Sequence, residues 1–362
     1  MVELSNPEPI LIQEFLQSVR ELPDTLAEFD HRRSDGPNRG YDARIDLKVA
    51  DQSIELLVEV RKAVYPRDVR QILWQLKESS HRAPPRRNRD SQFLILAESI
   101  SPGAKELLRA ERVGYFDSGG SLFLPARNAY LYIDRPPPKT VQKSMRSLFS
   151  GRRAQVLHAL LVRHRGWFGV KDIAKLAQVA PSTASEVLSE LDRFEWLTSR
   201  GRGPTKERHL REPAALLDAW VKQLSSLKQP GMRRYYVPGL KTDAMIERLG
   251  HAFDAHDVNY TVSYEAAAQR YAPFLSSVSQ VRVRMLMGPN AETAVSDIGA
   301  RLVSEGSNLG IIETDSPGEL LFREQLGGIW LASPVQVYLD LLRSEGRAKE
   351  LADHLRKERI GF

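Results

Sequence analysis

The chain has 362 residues, 42% apolar and 27% charged, enough apolar material for proper cores and long enough for two or three domains at roughly 100–200 residues each. It contains no cysteine, which excludes disulfides, thiolate zinc sites and cysteine nucleophiles and suits a reducing cytoplasm, the expected location. No apolar run approaches the ~18 residues of a membrane span, so no membrane partner is expected. "MVELSNPEPILIQEF" has an early acid and no basic n-region, so it does not read as a signal peptide. The eight histidines are scattered, with no HxxxH pair. No metal and no cofactor are expected.

In chain order, Leu11, Phe15, Val19 and Leu22 recur at spacings of three and four and predict a helix. "HRRSDGPNRG" is a polar loop. "YDARIDLKVA" and "SIELLVEVRK", separated by "DQ", predict a β-hairpin. "RDVRQILWQLKESS" predicts an amphipathic helix with Val69, Leu73 and Leu76 on one face, followed by the basic loop "HRAPPRRNRD". "SQFLILAES" is a buried-type strand. "SPGAKELLRAERVG" opens with Ser then Pro, a helix start. "YFDSGGSLFLPARNAYLYI" predicts one or two further strands. "DRPPPKT" is a stiff spacer and the first boundary.

"GRRAQVLHALLVRHRG" predicts a helix with Val156, Leu157, Leu160 and Leu161 apolar. "GVKDIAKLAQVA" predicts a short one ending near Gln178. "PSTASEVLSELDRFEWL" predicts a third, beginning either with Pro181 in its first turn or with Thr183 as N-cap in a Thr183-x-x-Glu186 capping box. "EWLTSRGRGPTKERHLRE" reads as strand, turn, strand. Beyond residue 230, short strands and helices alternate. In "VSQVRVRMLM", Val281, Val283 and Met285 take one face and Arg282 and Arg284 the other. "LGIIETD" and "GIWLAS" are further strands. The last helical segment breaks near Glu345-Gly346, and its apolar stripe of Val335, Leu339, Leu342 and Leu351 is either core or a partner surface. The reading is an α/β multidomain chain: an α/β domain over 1–135, a linker and three helices followed by a hairpin, the winged helix-turn-helix layout, over 136–228, and a C-terminal α/β domain over 229–362.

The net charge is +6, with a pI near 9.4. Lys139–Leu210 holds 14 Lys/Arg against 6 Asp/Glu, and Arg61–Asp90 holds 9 against 3. The rest of the chain is net acidic. Two basic segments in an otherwise acidic protein are the footprint expected of a polyanion binder.

The order of apolar and small residues in "DIAKLAQVAPSTASEVLSELDRFEWLTSRGRG" resembles the winged helix of bacterial transcription regulators. Such modules bind DNA or serve as protein adapters. In the DNA reading, Ala184, Val187, Leu188 and Leu191 face the helix core. Ser182, Thr183, Ser185 and Glu186 lie outward near the helix start, where base edges are reached. Arg200, Arg202, Lys206 and Arg208 on the wing contact phosphates or the minor groove. Lys171 and Lys175 touch the backbone, and Arg82, Arg86, Arg87 and Arg89 in the basic loop add nonspecific contact. A homodimer is one assembly that palindromic sites would suit.

Magnesium nucleases hold their cation on two or three carboxylates, with a lysine near the attacking water. Asp46 and Glu59 on paired strands, followed by Arg61, resemble the Asp…Glu-x-Lys pattern of the restriction-endonuclease-like superfamily, PD-(D/E)xK, with Gln71 and Gln75 on the next helix. Arg61 stands where that pattern has lysine, and arginine cannot act as a base. Three readings stay open: a solvated sheet face, a nuclease-like fold without catalysis, and an active metal-dependent endonuclease targeted by the winged helix. No enzymatic activity is expected.

"YTVSYEAAAQRYAP", "LASPVQVYLDLL" and "GRAKELADHLR", with "VGYFDSGGSLFL" upstream, resemble the AbiEi-type antitoxin and regulator family of bacteria. The resemblance implies a transcriptional regulator, the antitoxin half of a toxin–antitoxin or phage-defence pair, with a toxin protein as partner. Asp315, Glu319 and Asp340 are separated acids without a catalytic arrangement. The expected function is sequence-specific duplex-DNA binding for transcriptional control, with the endonuclease and a purely protein-binding antitoxin as alternatives.

Overall fold

A computed structural model of the chain describes residues 7–22, 25–29, 41–49, 52–82, 90–125, 130–136, 138, 143, 146–314 and 316–362. The predicted loop over 31–40, most of the basic loop (83–89), residues 137 and 139–142 of the spacer region, and Asp315 lie outside the described residues. The architecture is mixed α/β. The chain divides into two compact units, Met1–Ser144 with Glu190–Glu195, and Met145–Ser189 with Trp196–Phe362. The sequence segments 145–228 and 229–362 therefore contribute mostly to one unit. Among the described residues no helix is long and apolar enough to cross a membrane.

The first unit is built on a seven-stranded sheet in simple sequence order, β1 (Thr25–Phe29) to β7 (Tyr130–Ile133). β2 (Ala43–Val49) and β3 (Gln52–Val64) form the predicted hairpin. β3 runs parallel to β4 (Asp90–Ile100), and β4 to β5 (Gly114–Asp117). β6 (Leu122–Pro125) and β7 return antiparallel, so "YFDSGGSLFLPARNAYLYI" holds three strands. Alternation places Val58, Val60, Leu94 and Leu96 on one face, in a core with Leu11, Phe15 and Val19 of the helix α1 (Pro7–Arg20). The other face, including Ile95 and Ala97, is covered by α2 (Pro66–Arg82) and α3 (Pro102–Ala110) through Val69, Ile72, Ala104 and Leu108. Ser101 caps α3, its side chain accepting from the Ala104 N–H at 3.3 Å, with Pro102 in the first turn as predicted.

The second unit opens with α4 (Gly151–Val162), α5 (Val170–Leu176) and the greater part of α6 (Pro181–Arg193), as far as Ser189. A two-stranded hairpin, β8 (Leu197–Arg200) and β9 (Glu207–Leu210), follows. The remaining chain carries the helices α7 (Pro213–Gln223), α8 (Thr242–Ala255), α9 (Tyr264–Tyr271) and α10 (Pro289–Asp297) and the strands β10 (Met232–Tyr236), β13 (Arg301–Leu302) and β15 (Glu324–Leu326) of a mixed sheet of order β13-β10-β14-β12-β11-β16-β15. β11 (Tyr260–Ser263), β12 (Val281–Leu286), β14 (Leu309–Thr314) and β16 (Ile329–Leu331) are its central strands. The final helical segment splits as predicted into α11 (Pro334–Leu341) and α12 (Ala348–Leu355), with Gly346 at φ 65 between them. Val335, Leu339 and Leu351 are buried, so that stripe is core in this unit. Val281, Val283 and Met285 are fully buried, as alternation predicts. Arg284, expected on the opposite face, is buried as well, because that face is covered by α11 and its Asp340.

Candidate nucleic-acid interface

The helices α4, α5 and α6 are held together by their own apolar stripes. Val156, Leu157, Leu160 and Leu161 of α4, Ile173 and Ala174 of α5, and Ala184, Val187, Leu188 and Leu191 of α6 are all buried. Two bonds fix the short α5: Asp172 accepts from the Gly169 N–H at 2.9 Å, and the Ala177 N–H bonds the Ile173 carbonyl at 2.8 Å. Gln178 turns the chain with φ 52, a left-handed conformation uncommon outside glycine. α6 begins at Pro181, and Thr183 lies inside its first turn, so the first of the two predicted starts is the one formed. On α6, Ser182 and Glu186 are exposed, while Thr183 and Ser185 are half-buried. The Ser189 hydroxyl bonds back to the Ser185 carbonyl at 2.8 Å. Lys171 and Lys175 of α5 are exposed.

The four predicted wing cations have different fates. Arg202 is exposed at the hairpin tip. Lys206 is half-buried and engaged in an interaction of its own. Arg200 is held twice: its guanidinium pairs with Glu207 at 2.7 Å and lies over the Trp167 ring at 4.2 Å. Arg208 was expected on the outer surface and is instead 6% exposed. Its backbone pairs both ways with Phe168 at 2.9 Å, a single antiparallel bridge beside the two-stranded hairpin. On β9 the side chains alternate, so Arg208 shares the inward face with buried Leu210 while Glu207 and His209 lie on the other. The hairpin's shape depends on Gly201: it sits at φ 75, and a Cβ there would lie 2.7 Å from the Thr205 carbonyl oxygen. Arg82 ends α2, but its side chain, with Arg86, Arg87 and Arg89, lies outside the described residues.

In the first unit, the β2–β3 register corrects the proposed carboxylate pair. Asp46 stands opposite Glu55, not Glu59. Glu59 is four residues further along β3, roughly 13 Å away at the usual strand rise, so Asp46 and Glu59 do not converge. Glu55 is buried and satisfied, paired with Arg44 at 2.9 Å and accepting from the Ser91 hydroxyl at 2.7 Å. Continuing the register brings Asp42 to Glu59, and Asp42 Oδ2 accepts from the Val60 N–H at 2.7 Å. Burial, reinforced by the negative charge of Asp42, pushes the Glu59 carboxyl up to about 7, and Arg61 partly opposes that rise. Arg61 ion-pairs directly with Glu59. Its guanidinium is thus committed to the carboxylate two residues before it. Among the described residues no group of three His, Asp or Glu side chains gathers as a metal-holding cluster.

No family model, curated protein or solved structure matches the chain.

Two features of these surfaces escaped the sequence reading. A turn at Asp51-Gln52 sets Asp42 opposite Arg61, whereas the observed register sets it opposite Glu59. Counting in steps of two from Leu210 turns Arg208 inward. Trp167, the platform beneath Arg200, carried no local signal, because its partner lies across the hairpin.

Proposed function

We propose that the chain is a sequence-specific double-stranded-DNA-binding transcriptional regulator whose reading element is the helix–turn–helix and hairpin of the second unit, acting as a winged helix. The observation that carries this reading is the two-sided character of α6. Its Ala184, Val187, Leu188 and Leu191 are fully buried, while Ser182 and Glu186 stand exposed at its N-terminal end, beside a hairpin tipped by Arg202. A helix presented in this way places short polar side chains against base edges in a major groove. Lys171, Lys175 and Arg202 then supply phosphate contacts, whose counterion release makes affinity fall steeply with salt. The resemblance to AbiEi-type regulators extends the proposal to an autoregulating antitoxin with a toxin protein as partner.

Fluorescence anisotropy on duplexes from the region upstream of the coding sequence tests the reading. Affinity is expected to fall by orders of magnitude between low and physiological salt. Arg202→Ala with Lys171→Ala is expected to weaken binding about equally for all sequences and to flatten the salt slope by about two contacts. Salt-independent binding, or full affinity in the double variant, refutes it.

A second reading, a metal-dependent endonuclease, draws on Asp42 facing Glu59. We place it second because Arg61 replaces the lysine and is tied to Glu59. Plasmid nicking that requires magnesium or manganese and disappears in Asp42→Ala would reverse the order.

A further inference from the structure

The second unit contains an open cleft of about 1220 Å³ that none of the preceding argument uses. One wall is the N-terminal half of α4 with Phe149. Another is α11 with Leu339. Trp220 and the segment 224–233 close a third. Its volume lies slightly above the ~300–1,000 Å³ usual for small-molecule sites.

The charges in the cleft do not balance. Five cations line it, Arg152, Lys228, Arg233, Arg284 and Arg343, against three carboxylates, Glu313, Glu319 and Asp340. Arg233 is matched by Glu313 at 2.5 Å. Arg284, 6% exposed, gives Nε and Nη2 to Asp340 at 2.9 and 2.6 Å. Its Nη1 forms a loose ion pair with Glu319 at 3.9 Å, beyond hydrogen-bonding distance, and no closer acceptor for it is found among the described residues. A guanidinium so deeply placed ordinarily satisfies all its N–H groups. Arg343 beside it donates only a long bond, 3.4 Å, to the Lys228 carbonyl. Burial, with Arg284 nearby, makes its charged form less favourable than usual. Asp340, the acid between them, has its oxygens occupied by Arg284, the Ser263 hydroxyl and the Gln336 amide. His158, at the back of the cleft, is held neutral by burial and adds no charge near neutral pH.

We propose that this cleft binds a small organic anion, its phosphate or carboxylate received by Arg284 Nη1 and Arg343 and its apolar body lying against Phe149, Trp220 and Leu339. Paired guanidiniums with spare N–H groups match the planar acceptor geometry of both anions. The surrounding apolar wall strengthens that contact by excluding water. The site also touches the reading element. His158 of α4 bonds Ser333, the N-cap of α11, through Nε2 at 2.5 Å. An occupant seated between α4 and α11 therefore biases the placement of the helix–turn–helix. That regulatory consequence rests on the DNA-binding reading; the binding itself does not.

Isothermal titration of the full chain with phenyl phosphate, benzoate and neutral benzyl alcohol tests the proposal, and needs no DNA. One or both anions are expected to bind saturably at one site, with benzyl alcohol at least tenfold weaker. Phenyl phosphate alone assigns the natural ligand to phosphates, and benzoate alone to carboxylates. Arg343→Gln is expected to weaken anion binding at least tenfold, while Arg202→Ala leaves it unchanged. Should Arg343→Gln melt early, Lys228→Glu, an exposed change of charge at the rim, takes its place with the same expectation. Absence of saturable binding by either anion at millimolar concentration overturns the proposal. So does equal affinity in the variant. Failure of DNA binding in the anisotropy assay leaves this titration interpretable, so the two conclusions fail separately.

Discussion

Lowering the pH should loosen the second unit through a single side chain. His158 is 7% exposed, packed against Trp220 and Phe322, and bonded to Ser333. Burial drives its pKa from 6.5 down to about 4, with the charge of Asp340 only partly opposing the shift. The folded protein thus keeps the imidazole neutral where the unfolded chain protonates it. The stability this contributes is complete above pH 6.5 and is lost as the pH falls towards 4. Near pH 5 the unfolded form is mostly protonated and the folded form mostly not, a difference of roughly 2 kcal/mol. The comparison is urea denaturation near pH 7.5 and near pH 5, followed by tryptophan fluorescence, in the parent and in His158→Phe. The variant keeps the aromatic packing and loses the bond to Ser333, costing about 0.5–1.5 kcal/mol at neutral pH. It should also be about 2 kcal/mol less sensitive to acidification than the parent. Equal acid sensitivity in the two proteins would show that His158 is not the titrating group, and the argument from its burial would fail.

Three other outcomes follow from the geometry. Asp340→Leu strands the buried Arg284 cation and should cost about 3–5 kcal/mol in denaturant unfolding, while adding Arg284→Met should recover most of that loss; equal loss in both proteins would contradict it. Gly201→Ala places a methyl group 2.7 Å from the Thr205 carbonyl oxygen at φ 75, so the hairpin should lose about 1–2 kcal/mol of local stability and DNA affinity should fall with it; an unchanged hydrogen-exchange rate for the β8 and β9 amides would refute the strain argument. Glu59, with its folded pKa raised to about 7, behaves oppositely to His158: the first unit gains stability as the carboxyl protonates on acidification and loses it as the pH rises through 7. Hydrogen exchange of β3 peptides, corrected for intrinsic pH dependence, should show that trend in the parent and a flatter one in Glu59→Gln.

Much of this protein is written in local patterns. The three-and-four spacing of Leu11, Phe15 and Val19, the Ser101-Pro102 start, the alternation through Val281–Met285 and the break at Gly346 each act over a few residues. Each is therefore legible from the chain by itself. The buried set of the helix–turn–helix follows from the same rule, since Ala184, Val187, Leu188 and Leu191 recur at helical spacing. What the amino-acid order did not disclose is which distant groups meet. Asp46 was a plausible partner for Glu59 until the hairpin register put Glu55 opposite it and brought Asp42 to Glu59. Alternation placed Arg284 on the face opposite Val283 but not what covers that face; α11, more than fifty positions later, covers it and supplies Asp340. Arg208 counted as a wing cation until the bridge to Phe168 fixed its strand against the core. Helical and strand periodicity arise from the repeat of one backbone and belong to the sequence. Register, coverage of a sheet face and the pairing of buried charges arise from contacts between remote segments, and the assembled fold alone determines them.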